Sequence, residues 1–132
     1  MGPPVKLLLD TCTLIWLTSE AARLSEAAST AIDDAASTLH FSDASLWEIC
    51  LKWQNGKLGL PTPPRSWVPD QLTRWQIEAV PLEAEVFFRT TELPSHHRDP
   101  FDRLLVAQAI SRGLTIVTPD PAIAQYPAAR LW

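Results

Sequence analysis

Short apolar runs alternate along this chain with longer stretches of helical period. Val5 to Leu9 (VKLLL) is long enough for a buried strand and too short for a helix. Asp10-Thr11 then opens an apolar helix over 11–18, and Ser25 is a plausible N-cap for a second helix over 25–36. Thr38 to Phe41 (TLHF) reads as the second strand. Ser42 and Ser45 follow it with N-capping oxygens, and Ser45 with Glu48 matches a capping box. This third helix stops at Asn55-Gly56. Residues 57–66 (KLGLPTPPRS) form a proline-rich loop, and 67–75 a helix with Pro69 in its first turn. A third strand over 77–81 and a helix over 83–92 come next. After a loop over 93–99, Asp99-Pro100 starts a helix that ends at Gly113, where glycine suits a left-handed cap. Thr115 to Thr118 (TIVT) is a β-branched strand, Asp120-Pro121 caps a last short helix, and 130–132 add an edge strand. This order predicts an α/β fold: one domain over 1–132, with a mostly parallel sheet and helices on both faces.

In such a sheet, ligands sit beyond the carboxyl ends of the strands. The chain gathers acids at that edge. Asp10 directly follows the first strand, and Asp120 follows the strand over 115–118. Glu48 lies about two turns into the helix that leaves the second strand. The helix over 100–112 runs down to meet the start of the next strand, so its N-terminus, with Asp99 and Asp102, is at the same edge. Singly, each acid has an ordinary explanation. Asp10, Asp99 and Asp120 are helix caps, Asp102 sits at the positive end of a helix, and Glu48 is spaced i,i+4 from Lys52. Together they are five like charges on one rim, which repel unless a cation is present. Carboxylates are ligands that magnesium and manganese prefer, and four or five could hold two ions, as in phosphodiester cleavage. No histidine or cysteine is positioned to make a zinc site.

Composition narrows the picture. Hydrophobic residues are 46% of 132, ordinary for one globular core. No apolar run approaches the roughly 20 residues of a bilayer span, and Asp10 interrupts the only stretch resembling a signal peptide. A cytoplasmic protein, not associated with a membrane, is expected. Cys12 and Cys50 have no metal-type spacing and are expected as free thiols. The net charge of −4 excludes nucleic-acid binding by bulk charge, but not an enzyme whose bound cations meet phosphate.

Four motifs in order resemble PIN-domain ribonucleases, and within them the VapC toxins of bacterial toxin–antitoxin pairs. They are Leu8-Leu9-Asp10-Thr11-Cys12, Ser45-Leu46-Trp47-Glu48-Ile49, the long HHRDPFDRLLVAQA segment from His96 to Ala109, and Thr118-Pro119-Asp120. The resemblance implies a three-layer α/β/α PIN-like fold with a mostly parallel four- to five-stranded sheet. It also implies a Mg²⁺- or Mn²⁺-dependent endoribonuclease with one or two ions, made as a homodimer and silenced by a VapB-type antitoxin. The family's acids map to Asp10, Glu48, Asp102 and Asp120 as catalytic residues, with Asp99 an additional metal ligand or a cap. Hydrolysis would leave a 5′-phosphate and a 3′-hydroxyl.

Lys52, Arg98 and Arg103 are the basic residues expected to take flanking RNA phosphates. His96 and His97 are read as RNA contacts or loop polar groups, without a catalytic role. Trp16, Trp47 and Trp53 are expected in core packing, with a groove for a partner helix as the other use of such rows. Two rival readings differ in class. One is a PIN fold that binds RNA or protein without cutting. The other is a phosphoacceptor receiver domain, against which stand the lack of an acid directly after the strand over 77–81 and of any lysine after Lys57.

Overall fold

The apolar run at the start of the chain becomes the middle strand of a sheet. In the computed structural model, which describes residues 5–95 and 98–132, β1 (Lys6–Leu9) lies between β2 (Thr38–Ser42) and β4 (Thr115–Val117). β3 (Ile77–Val80) borders β2, and β5 (Arg130–Leu131) borders β4, giving the order β3-β2-β1-β4-β5. All four pairings are parallel, so among the described residues the sheet has five strands and no antiparallel member. A receiver domain has the order 2-1-3-4-5, and the observed order removes that rival.

Six helices connect the strands: α1 (Thr11–Ser19), α2 (Glu26–Asp33), α3 (Asp43–Gln54), α4 (Pro64–Arg74), α5 (Ala84–Thr90) and α6 (Pro100–Arg112). Side chains alternate across β1, and each face has its own core. Leu7 and Leu9 pack with Leu14, Ala28, Ile49 and Trp67 from α1, α2, α3 and α4. Leu8 faces the other way, onto Leu105, Val106 and Ala109 of α6. The result is three layers. Leu7, Leu8 and Leu9 are wholly buried, each contributing about 1.5–3 kcal/mol by burial. That anchors the strand whose end carries Asp10.

Several boundaries differ from the sequence expectation, each for a local reason. The second helix ends at Asp33, because the Asp34 carboxylate accepts from the Ala36 amide and the Asp34 carbonyl from Ser37, closing a turn. α4 begins at Pro64, with Ser66 and Trp67 amides donating to the Pro63 carbonyl. Pro69 therefore lies inside the helix, where it supplies no amide to the ladder. The Ser45–Glu48 capping box does not form. Ser42 is the N-cap of α3, accepting from the Ala44 amide at 3.0 Å, and Ser45 is buried within the helix. The expected last helix is a single 3-10 turn, Ile123–Gln125. α6 runs from Pro100 to Arg112 with Gly113 at φ 67°, as its sequence predicts.

The tryptophans divide. Trp16 packs on the core, 5.8 Å from Trp132 and under the Arg23 guanidinium. Trp47 and Trp53 are 57% and 41% exposed, so core packing is the wrong reading for both. Trp53 lines a groove of about 710 Å³ with Leu46, Cys50, Val68 and Leu72, between α3 and α4. Among the described residues, no helix is long and apolar enough to cross a membrane. Cys12 and Cys50 are free thiols.

Candidate active site

β1 and β4 are neighbours, yet the chain leaves them toward opposite sides of the sheet. This is the topological switch point, where an α/β sheet leaves a crevice. Asp10 sits in it. Its amide donates to the Val117 carbonyl of β4 at 3.3 Å, and the Thr13 hydroxyl donates to the same carbonyl at 2.9 Å. The Asp10 carboxylate caps α1, with Oδ1 accepting from the Thr13 amide at 2.8 Å, and the residue is only 7% exposed. A buried carboxylate fixed by its own helix start is rigidly held.

Glu48 comes from α3 on the other wall. The Thr11 hydroxyl donates to its Oε1, and Lys52 Nζ lies 2.8 Å from its Oε2. The Glu48 side chain is 12% exposed. The i,i+4 pair with Lys52 thus exists, but it faces the crevice and not open solvent. Asp99 is the N-cap of α6, accepting from the Phe101 amide at 2.9 Å, and Asp102 lies in the first turn. The partial positive charge of that helix end favours both acids there. Asp120 is held by a turn: its amide donates to the buried Thr118 hydroxyl at 3.2 Å, and its Oδ1 accepts from the Ala122 amide at 2.9 Å.

All five acids line one open cleft of about 450 Å³, with Thr11, Cys12, Lys52, Lys57, Thr118 and Pro119. Residues separated by up to 110 positions meet there. The donors are hard oxygens, which fit a magnesium- or manganese-type cation in kind and in number. As the side chains stand, no group of three or more acids, histidines or cysteines among the described residues is close enough to hold an ion. Both Glu48 oxygens are engaged, Oε1 by Thr11 and Oε2 by Lys52.

The neighbours respond to this charge. Burial, and then the adjacent Asp10 carboxylate, push the Cys12 thiol up to about 12. The thiol donates to Asp10 Oδ1 at 3.4 Å. The hydrogen bond to Glu48 raises the Lys52 ammonium above its usual value. Burial opposes that rise, and the charges of Glu48, Asp99 and Asp102 add to it.

Of the expected phosphate contacts, Lys52 is in the cleft, and Arg98 is exposed directly before Asp99. Arg103 is engaged inside the fold. Its guanidinium donates to the Thr90 carbonyl, to the Pro94 carbonyl at 3.0 Å and to the Tyr126 hydroxyl at 3.3 Å. It clasps the end of α5 and the following loop to α6. His96 and His97 lie outside the described residues. Sequence reasoning missed Lys57. The chain turns back at Gly56 (φ 71°), and the Lys57 and Leu58 amides both donate to the Lys52 carbonyl at 2.8 and 3.2 Å. This folds Lys57 onto the cleft wall beside Lys52. Asn55-Gly56 was the available signal, and it marks the turn without showing where the chain returns.

Comparison with known proteins agrees with this architecture. The PIN domain profile matches residues 7–129. Ribonuclease VapC22 of Mycobacterium tuberculosis is 35% identical over 115 residues, 86% of each chain. Among solved structures, the VapBC2 complex of Rickettsia felis bound to a promoter DNA fragment matches with a TM-score of 0.71 at 18% identity, covering 96% of this chain and 97% of that one. The DNA-bound VapBC of Salmonella typhimurium matches with a TM-score of 0.62 at 19% identity, covering 96% of both. At such identities the structural matches speak for the fold alone. The profile and the bacterial relative carry the assignment: the chain belongs to the PIN-domain family, as a VapC-type member.

Proposed function

We propose that this protein is the toxin of a toxin–antitoxin pair, an endoribonuclease that hydrolyses RNA phosphodiester bonds with a divalent cation. The observation that carries the reading is the convergence of Asp10, Glu48, Asp99, Asp102 and Asp120 on one cleft at the switch point of the sheet. The similarity to a ribonuclease of the VapC type supports the RNA substrate. Asp10, Glu48, Asp102 and Asp120 are the residues that would hold Mg²⁺ or Mn²⁺, with Asp99 both helix cap and additional ligand. Bound there, the cation would supply an acidified water and positive charge against the scissile phosphate.

The chain's own residues do the rest. The cap on α1 holds Asp10 still, Thr11 fixes the rotamer of Glu48, and Thr118 fixes the turn of Asp120. Lys52, Lys57 and Arg98 take phosphates flanking the scissile bond. An antitoxin of the VapB type silences the enzyme. The exposed Trp53 groove between α3 and α4 is the apolar surface that fits an amphipathic partner segment. The enzyme works in the cytoplasm as a homodimer.

The test is cleavage of total RNA by antitoxin-free protein, with Mn²⁺, with Mg²⁺, and with EDTA. Cleavage that stops in EDTA, returns on adding metal, and is lost in Asp10→Asn supports the proposal. No cleavage under any condition favours the rival PIN scaffold that binds without cutting, and cleavage that persists in EDTA overturns the divalent cation.

A further inference from the structure

Glu48 already has one cation at its carboxylate. Its Oε1 accepts from Thr11, and its Oε2 is 2.8 Å from Lys52 Nζ. Lys52 is anchored one helical turn away on α3 and its side chain is 48% exposed, so it is free to swing once released. Lys57 lines the same wall but makes no ion pair among the described residues. Resting on the ribonuclease reading above, we propose that Lys52 is an exchangeable counter-cation. It holds Glu48 until a divalent ion enters, gives up Oε2 to that ion, and moves its charge to an RNA phosphate along the cleft.

The exchange has two consequences that separate Lys52 from an ordinary phosphate contact. Lys52 competes with the metal, so its removal should tighten metal binding. It also becomes available to RNA only after the metal has displaced it. Lys57 has the second kind of contact without the competition. A lysine that merely oriented Glu48 for the ion would give the opposite result, because its loss would weaken metal binding.

The experiment is calorimetric titration of Mn²⁺ into the full-length, RNA-free protein. Lys52→Met should bind Mn²⁺ about fivefold more tightly than wild type, the scale of a partly exposed ion pair. Lys52→Arg should return the affinity toward the wild-type value, and Lys57→Met should leave it unchanged. Thermal melting checks that each variant is folded. Binding of a fluorescein-labelled single-stranded oligoribonucleotide is then followed against salt, in EDTA and in Ca²⁺, a hard cation for the same carboxylates. Lys52→Met should lower the slope of log K against log salt by about one phosphate contact in Ca²⁺ and not in EDTA. An unchanged or weakened Mn²⁺ affinity in Lys52→Met overturns the exchange while leaving the ribonuclease reading intact. Absence of Mn²⁺ binding in both wild type and Lys52→Met sinks that reading and the exchange with it.

Discussion

The two edges of the sheet handle charge in opposite ways. At the carboxyl edge, five acids converge on one cleft, with Lys52 and Lys57 as the cations lining it. Toward the other edge, a pocket of about 390 Å³ mixes signs: Lys6 and Arg112 with Glu78, around the His40 ring. His40 Nδ1 is 3.7 Å from Glu78, its Nε2 is 3.1 Å from the Thr38 hydroxyl, and Arg112 reaches Glu83 at 3.4 Å. Charges that neutralise one another locally need nothing further. Charges of one sign held together by helix caps and turns set up a field that favours a cation. The same fold thus separates a rim of mixed charges from a rim where acids of one sign gather.

Asp10→Asn should break this contrast most strongly. Asparagine caps a helix nearly as well as aspartate, so melting should change little. Cleavage should fall on the order of a thousandfold or more if the carboxylate charge is what the site uses. A variant that keeps cleaving at near the wild-type rate would reduce Asp10 to a cap, and the acidic rim to ordinary helix starts.

Arg103→Met sharpens the contrast next, because it removes a cation beside the acidic rim that points into the fold. Loss of its charged hydrogen bonds to Thr90, Pro94 and Tyr126 should cost about 2–3 kcal/mol of stability, read from the urea midpoint. RNA affinity measured well below the melting temperature should hold. If affinity falls while the midpoint stays, Arg103 is a phosphate contact after all, and the clasp between α5 and α6 is incidental.

These two residues also show how far the sequence was legible. Asp10, Asp99 and Asp102 were placed at the carboxyl edge by strand and helix order alone, because each directly follows a strand or starts a helix. Glu48 follows from its place about two turns into the helix that leaves the second strand. The capping box with Ser45 does not form, since the helix starts at Asp43 and Glu48 turns to Thr11 and Lys52. Propensity could not settle this, since Ser42 and Ser45 are equally good caps. Arg103 looked like Arg98 in the sequence, since both flank DPFD. Only the packing of α5 on α6 separates their surroundings. Lys57 was missed because a turn signal gives no destination. Trp47 and Trp53 were misread as core because an apolar helix neighbour does not say which face of α3 the sheet covers.

Lys57→Met is a smaller perturbation of the acidic rim. Its folded position on the cleft wall should make it one phosphate contact. The expected result is an RNA affinity a few-fold lower, with a salt slope reduced by about one. A loss that depended on the base sequence of the RNA, with the slope unchanged, would mean that Lys57 reads bases.

The smallest expected effect tests the opposite rim. Burial lowers the His40 pKa below its usual 6.5, Lys6 and Arg112 lower it further, and Glu78 opposes them. The folded protein therefore keeps His40 neutral over a range where the unfolded chain has already taken up the proton. As pH falls through 6.5, the unfolded state binds more protons than the native one, and stability declines until the folded pKa is passed. His40→Gln removes that proton difference, so its stability relative to wild type should rise between neutral and mildly acidic pH. Glu78→Gln removes the one nearby charge that favours protonation, so the His40 ring proton in nuclear magnetic resonance should titrate at a still lower pH. An ordinary or elevated His40 titration in the wild type would mean that Glu78 dominates the pocket. The second rim would then carry a formed ion pair in place of a neutral ring.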